Sequence, residues 1–259
     1  METLETIRAQ LAALGVSPGA TVMVHSSLRR IGYVLGGAPT CVRALIDILG
    51  PEGTLVMPAF SPAVSDPSAW SEPAIGAGLV EVARRHVPAF DPETTPTTMG
   101  AIPEAFRNWP GSERSAHPQV SVIARGPRAA AITVPHTLEW GQGAGSPFER
   151  MYELDVEVLL LGVGFNRATM LHYAESLVPH GRRKRRRIPI DGPEGRHWSE
   201  VDDVGDDLDT HFPEIGTIVA REGLAVSGMI GTAPTIRISA RTLVDRAVRH
   251  LSEALQNSP

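Results

Sequence analysis

The sequence predicts an α/β fold: a single domain over 1–259, with a mixed, partly parallel sheet flanked by helices and an antiparallel insertion. Three observations lead there. Short apolar runs at 20–24, 54–60 and 156–163 end in small residues and read as strands buried on both faces. Segments of helical periodicity, stopped by glycine, lie between them. Two polar strands at 185–190 and 197–201 flank Asp191-Gly192-Pro193 and read as a hairpin.

Taken in order, leucines and alanines at helical spacing predict a helix over 2–13, stopped by Gly15. Ser17-Pro18-Gly19 turns the chain into the strand at 20–24. A loop ending in Gly36-Gly37 leads to a helix over 40–49, stopped by Gly50-Pro51, and the strand at 54–60 follows. Strand, helix and strand in this order imply a right-handed parallel crossover. Helices are expected at 76–86 and 99–108, the latter starting near Pro103. A strand at 119–124 precedes a short helix over 126–132, opened by Pro127. A glycine-rich loop at 135–147 leads to a brief helix over 148–154. The run at 156–163 closes with Gly162 and Gly164, Asn166 offers an N-cap, and a helix follows over 169–177. After the hairpin, 201–209 reads as an exposed acidic loop. A helix at 212–221, strands at 224–230 and 235–238, and a closing helix over 240–254 complete the chain.

Composition narrows the function. Hydrophobic residues at 42% provide a substantial core, and a formal charge of −5 gives no global attraction to nucleic acid. The lone Cys41 excludes an internal disulfide and a multi-cysteine zinc site. No uncharged apolar run reaches the roughly 20 residues a membrane span needs. METLETIRAQ lacks the basic and apolar regions of a signal peptide, so the expected location is the cytoplasm.

Chemistry concentrates after the strand at 156–163. His172 and Glu175, three apart on one helix, share a face, so the carboxylate can fix the imidazole's tautomer and stabilise its protonated form. These two residues alone fit a core histidine beside a solvated carboxylate equally well. His25-Ser26-Ser27 ends another buried strand, where hydroxyls and N–H groups can cradle a phosphate or simply cap a turn. The loop matches neither a P-loop nor G-x-G-x-x-G. Thr94-Thr95-Pro96-Thr97-Thr98-Met99-Gly100 is dense in turn chemistry, and Arg114-Ser115-Ala116-His117-Pro118 places a cation, a hydroxyl and an imidazole before a strand. The six cations Arg182 to Arg187 lack interleaved aromatics and read as a solvated strand edge, with one or two arginines open to a phosphate. An alternative chemistry is a zinc hydrolase using His172, Glu175 and His25 or His117, although H-E-x-x-H is absent.

The segments VMVHSSLRRIGYVLGG, GTLVMPAF, FDPETTPTTMGAIPEAFR, RSAHPQVS, GAGSPFERM and LLLGVGFNRATMLHYAE, in this order, resemble the aminoglycoside 3-N-acetyltransferase (antibiotic acetyltransferase) family. The resemblance implies a fold distinct from the common N-acetyltransferase fold. It also implies acetyl transfer from acetyl-CoA to the 3-amine of a 2-deoxystreptamine antibiotic, and hence resistance, with no metal. His172 falls on the family's active-site histidine and Glu175 on the carboxylate after it. Ser26, Ser27 and Leu28, preceded by His25, fall on the loop that meets CoA, and Thr98, Met99, Gly100, Arg114, Ser115 and His117 on segments lining the same tunnel. The chain departs from many relatives at Asn166 and Ala168, and its segment SPAVSDPSAWSEP is shorter.

A polycationic acceptor requires an acidic cleft. Asp66 and Glu139 are the first candidates, then Asp202, Asp203, Asp206 and Asp207, with Trp70 and Trp140 to pack sugar rings. Cys41 lies inside a helix and is an unsuitable acyl carrier, which favours direct transfer in a ternary complex.

Overall fold

The computed structural model describes residues 1–71, 74–179, 181–205 and 208–256. The chain begins with α1 (Leu4–Ala13), β1 (Thr21–Ser26), α2 (Leu28–Ile31), α3 (Gly37–Leu49) and β2 (Thr54–Pro58). Next come α4 (Val80–His86), α5 (Ala101–Arg107), β3 (Glu113–Arg114), β4 (Val122–Arg125), α6 (Ala129–Thr133) and α7 (Pro147–Glu153). β5 (Glu157–Leu161) and α8 (Met170–Leu177) precede the long strands β6 (Arg183–Gly192) and β7 (Gly195–Val204). The chain ends with α9 (Phe212–Arg221), β8 (Val226–Ile230), β9 (Ala233–Ser239) and α10 (Ala240–Gln256). No helix among the described residues is long and apolar enough to cross a membrane.

Seven strands form one sheet in the order β3-β4-β2-β1-β5-β9-β8, and β6 and β7 form a separate hairpin. β1 lies between β2 and β5 and is parallel to both, whereas β4, β3, β9 and β8 add antiparallel flanks. The mixed sheet with an antiparallel insertion is therefore the observed architecture.

The unbroken apolar runs have a direct cause. Val22, Val24, Leu159 and Leu161 enter one core with α1, α3 and α5, while Met23, Val158 and Leu160 enter the other with α7, α8, α9 and α10. Successive strand residues point to opposite faces, so a central strand covered on both sides has no place for polar alternation.

Several boundaries differ from expectation. α1 starts at Leu4 because Thr3 and Thr6 close a capping box. β1 extends through His25 and Ser26, which pair with Leu160 and Leu161 of β5. The four-residue α2 is too short to produce a periodic signal. Asn166 does not cap α8: it sits in a 3-10 turn (Phe165–Arg167) and donates to Asp209 Oδ1 at 3.1 Å, while Thr169 takes the cap position. The expected strand at 119–124 begins only at Val122, because His117 Nδ1 accepts the N–H groups of Gln119 and Val120, both at 3.1 Å, and holds them in a turn.

The hairpin departs most. Its strands are ten residues each and its turn is Pro193-Glu194, not Asp191-Gly192-Pro193. The cationic run and the acidic segment lie opposite one another, Arg185 across from Asp202 and Lys184 across from Asp203. Arg186 Nε meets Asp203 at 2.9 Å and Arg185 Nε meets Asp202 at 3.2 Å. Asp203 is fully buried. The acidic segment at 201–204 is thus half of a ladder, not an exposed loop; Asp206 and Asp207 lie outside the described residues.

Candidate functional site

The carboxyl ends of β1 and β5 are neighbours, and the chain leaving β5 carries the reactive pair. Gly162 turns it with φ +71, and a Cβ there would stand 2.7 Å from Arg30 Cβ, so the bend is made for glycine. α8 follows, with His172 in its first turn and Glu175 one turn later. Both side chains are buried, and His172 Nδ1 lies 2.7 Å from Glu175 Oε2. A carboxylate accepts only, so Nδ1 donates to it, and in the neutral imidazole this places the lone pair on Nε2. The Phe212 ring packs edge-on 5.0 Å from the imidazole. Gly181 lies so close to the Glu175 carbonyl that any side chain there would displace the end of α8.

His172 opens on a cavity of about 460 Å³ at the ends of β1 and β5. His25, Ser26, Ser27, Thr98, Met99 and Gly100 line it too, as do Phe60, Pro103, Asn166, Arg167, Thr169 and Leu208. Seven residues chosen from sequence therefore converge on one space. Thr169, whose Oγ1 is 3.4 Å from His25 Nε2, escaped sequence reasoning because a helix-start threonine is ordinary capping chemistry. The Ser26 hydroxyl is buried without a hydrogen-bond partner, leaving a donor for a ligand. Ser27 heads α2 but makes no side-chain cap.

Other expected residues lie elsewhere. Leu28 is half-buried and packs on the core beneath α1 and α3. Arg114 does not line the cavity. Its guanidinium reaches the Ala59 carbonyl (2.6 Å), Ser61 Oγ (2.7 Å), Ser121 Oγ (3.0 Å) and the Thr95 carbonyl, beneath the Phe90 ring. Burial lowers it to about 10. Ser115 Oγ accepts from the Val122 N–H and meets His136 Nδ1 at 2.8 Å. His117, besides holding the turn before β4, reaches the Leu138 carbonyl through Nε2 at 3.2 Å. None of these three residues lines the cavity: Arg114 braces the backbone on either side of Phe60, and Ser115 and His117 tie the segment leading into β4 to His136 and Leu138.

His25, His117 and the unpredicted His136 are held neutral by burial, which pushes them down to about 3, 4 and 3 respectively. Unfolding returns each to the ordinary value near 6.5, so below that pH the unfolded chain binds more protons. Their contribution is complete above pH 6.5 and is lost as pH falls to about 4 for His117 and about 3 for His25 and His136. Stability is expected to drop by about 1.4 kcal/mol per pH unit per histidine in that window. Denaturant midpoints from pH 7 to 4.5 check this; a flat profile to pH 5 contradicts it.

The acidic candidates separate. Asp66 borders a second cavity of about 710 Å³, which also includes Trp70 and meets the first at Thr98. Its carboxylate is already occupied by Arg84 Nε and Arg187 Nη1, both at 2.9 Å, and by the N–H and hydroxyl of Ser68. Burial alone would raise the Asp66 carboxyl, but the bonds from Arg84 and Ser68 prevail and hold it at about 2. It organises the loop instead of presenting a free charge. Glu139 is exposed and lines neither cavity, and Trp140 carries the Arg183 guanidinium over its ring. Cys41 is buried in α3, which pushes its thiol up to about 11 and removes it as an acyl carrier.

The zinc arrangement of His172, Glu175 and His25 or His117 does not form. Among the described residues, the group of donors close enough to share an ion is His211, Glu214 and His250.

A family model described as aminoglycoside 3-N-acetyltransferase matches residues 23–252. The SPbeta prophage-derived aminoglycoside N(3')-acetyltransferase-like protein YokD of Bacillus subtilis is 38% identical, over 95% of this chain and 90% of that protein. The crystal structure of YokD superposes with a TM-score of 0.95, covering 100% of this chain and 96% of that one. Aminoglycoside N(3)-acetyltransferase III of Serratia marcescens is 37% identical, with 98% of each chain covered. AAC-IIIb, solved as a binary complex with CoASH, is 32% identical with a TM-score of 0.87, covering 100% of this chain and 99% of that one. A family model over most of the chain and relatives matched along their whole length show that the chain belongs to the aminoglycoside 3-N-acetyltransferase family.

Proposed function

We propose that this protein transfers acetyl from acetyl-CoA to an amine of an aminoglycoside, the 3-amine of a 2-deoxystreptamine ring, with His172 as general base. The observation that carries this reading is the buried His172–Glu175 pair facing a cavity at the ends of β1 and β5, in a chain similar throughout to enzymes named for that activity.

In this reading His172 Nε2 accepts a proton from the attacking amine as its nitrogen bonds to the thioester carbonyl carbon. Glu175 holds the imidazole by Nδ1 and stabilises the imidazolium. The tetrahedral intermediate collapses with cleavage of the C–S bond, and the proton passes to the departing CoA sulfur. Both substrates occupy the site together, and no acyl-enzyme forms. Ser26, Ser27, Thr98, Met99 and Gly100 meet the CoA chain, and Arg114 braces the backbone beside Phe60 behind that wall.

Ser27→Leu tests the placement of CoA. Since Ser27 makes no side-chain cap, the substitution removes no fold-stabilising bond, and its bulk enters the cavity. Calorimetry is expected to give acetyl-CoA binding weaker by about tenfold or more, with acceptor binding unchanged. Loss of acceptor binding alone would exchange the two halves of the site.

A second reading of the acceptor is favoured by one observation. The 710 Å³ cavity is bordered by Arg84, Lys184, Arg185, Arg186 and Arg187, and Asp66 is the only acidic side chain among its described lining residues. Asp202 and Asp203 offset Arg185 and Arg186 from outside that lining. Such a wall suits an amine carried on an anionic molecule better than a polycation. Thiol release from acetyl-CoA, measured across aminoglycosides and across amino sugars bearing phosphate or carboxylate, decides between the readings. Turnover with neither class would sink the transferase reading itself.

A further inference from the structure

We infer that the protein binds a divalent first-row transition ion, of which zinc is the representative, between the N-terminus of α9 and α10, through His211, Glu214 and His250. The three side chains come from two packed helices. His211 occupies the N-cap position of α9, Glu214 stands in its first turn, and His250 lies near the end of α10. Glu214 Oε2 is 3.1 Å from His250 Nε2 and 3.6 Å from His211 Nδ1, and all three donor atoms lie within 4.8 Å of one another. The two rings meet at 70° with centroids 5.9 Å apart.

These distances fit a metal. With bonds of about 2.0–2.2 Å, ligand atoms around a tetrahedral zinc stand roughly 3.3–3.5 Å apart. Two edges of the triangle, 3.1 and 3.6 Å, come within about 0.2 Å of that range. The third, between the two imidazole nitrogens, is within 4.8 Å. Two imidazole nitrogens and one carboxylate oxygen are the donor set of sites that keep a fourth position for water. Imidazole suits zinc, copper and nickel, whereas calcium and magnesium prefer oxygen alone.

An ion pair alone explains the cluster less well. Glu214 can satisfy His250 at 3.1 Å, but His211 Nδ1 is buried, 3.6 Å from the carboxylate and without a hydrogen-bond partner among the described residues. A buried nitrogen left so is costly, and an ion accepting its lone pair removes the cost. The site is separate from the transfer chemistry, since it uses none of the residues assigned there. It has a structural consequence for them: the residue after His211 is Phe212, whose ring supports His172. Zinc would tie the start of α9 to α10 and so fix that support. A ligand bound only by the folded chain stabilises it by RT ln(1 + L/Kd) at free ligand concentration L, so the unfolding temperature rises with that concentration.

The test uses full-length, untagged protein stripped with a chelator and dialysed. Titration with zinc chloride in a calorimeter is expected to give one ion per chain at micromolar affinity or tighter, with a melting temperature that rises with zinc concentration. Both His250→Ala and Glu214→Gln should weaken zinc binding at least tenfold and abolish the thermal shift. His172→Ala, which alters the reactive pair, should bind zinc as the wild type does. The inference is overturned if the wild type takes up no stoichiometric zinc, or if it does and the His250 and Glu214 variants take it up equally. Zinc uptake lost with His172→Ala and kept with His250→Ala would move the metal to the transfer site instead. Acetyl-transfer activity enters none of these readouts, so failure here leaves the transferase reading standing, and the converse holds.

Discussion

His172→Ala is expected to lower acetyl-transfer turnover by about 10²–10⁴-fold, the range that a positioned general base supplies. Its amine substrate is mostly protonated at neutral pH and attacks a thioester only once a proton has been taken away. Among the described lining residues the other imidazole is His25, which burial pushes down to about 3 and whose ring meets Thr169 at 3.4 Å, so it is unsuited to that role. The substitution leaves a small void beside Phe212 and unpairs the buried Glu175. A melting temperature and an acetyl-CoA isotherm must therefore accompany the kinetics. Loss of turnover with both preserved is the expected result. Wild-type turnover in a folded His172→Ala protein would remove the histidine from the mechanism.

Glu175→Gln is expected to reduce the maximal rate by about 10²-fold or more while leaving the acceptor's Michaelis constant nearly unchanged. In serine-protease triads, exchanging the carboxylate for its amide costs about 10⁴-fold, partly by selecting the wrong tautomer. The same logic applies to a fully buried carboxylate 2.7 Å from Nδ1. An amide can present its NH₂ to Nδ1, which places the proton on Nε2 and blocks it as a base. It also lacks the charge that stabilises the imidazolium. The shape of the side chain is kept, so packing at the end of α8 survives. A raised Michaelis constant with an unchanged maximal rate would instead make Glu175 a ligand of the acceptor.

Much of this was legible in the chain itself. The continuous apolar runs identified β1, β2 and β5, because a strand covered on both faces must be apolar at every position. Glycine and proline set the ends of α1 and α3, since backbone conformation is decided locally. The spacing of His172 and Glu175 needed only the helical repeat to place them together. The family resemblance added the cavity segments, and His25, Ser26, Ser27, Thr98, Met99 and Gly100 do converge with His172.

Tertiary structure decided what depends on partners distant in sequence. The sequence shows six cations and, some fifteen residues later, a group of acids. It does not show that they face each other across β6 and β7, because cross-strand pairing follows from register. Asp66 reads as a free anion until Arg84 and Arg187 arrive from 18 and 121 residues away and hold its carboxylate. Arg114 and His117 read as cavity residues until the backbone groups they satisfy are seen, and a buried donor or acceptor takes whatever partner the fold brings to it. His211 and His250 lie far apart in the chain, and only the packing of α9 on α10 brings them to one carboxylate. Local sequence determined the strands, the helices and the reactive pair; the long-range pairing of charges and imidazoles came from the fold, because that is where electrostatic partners are chosen.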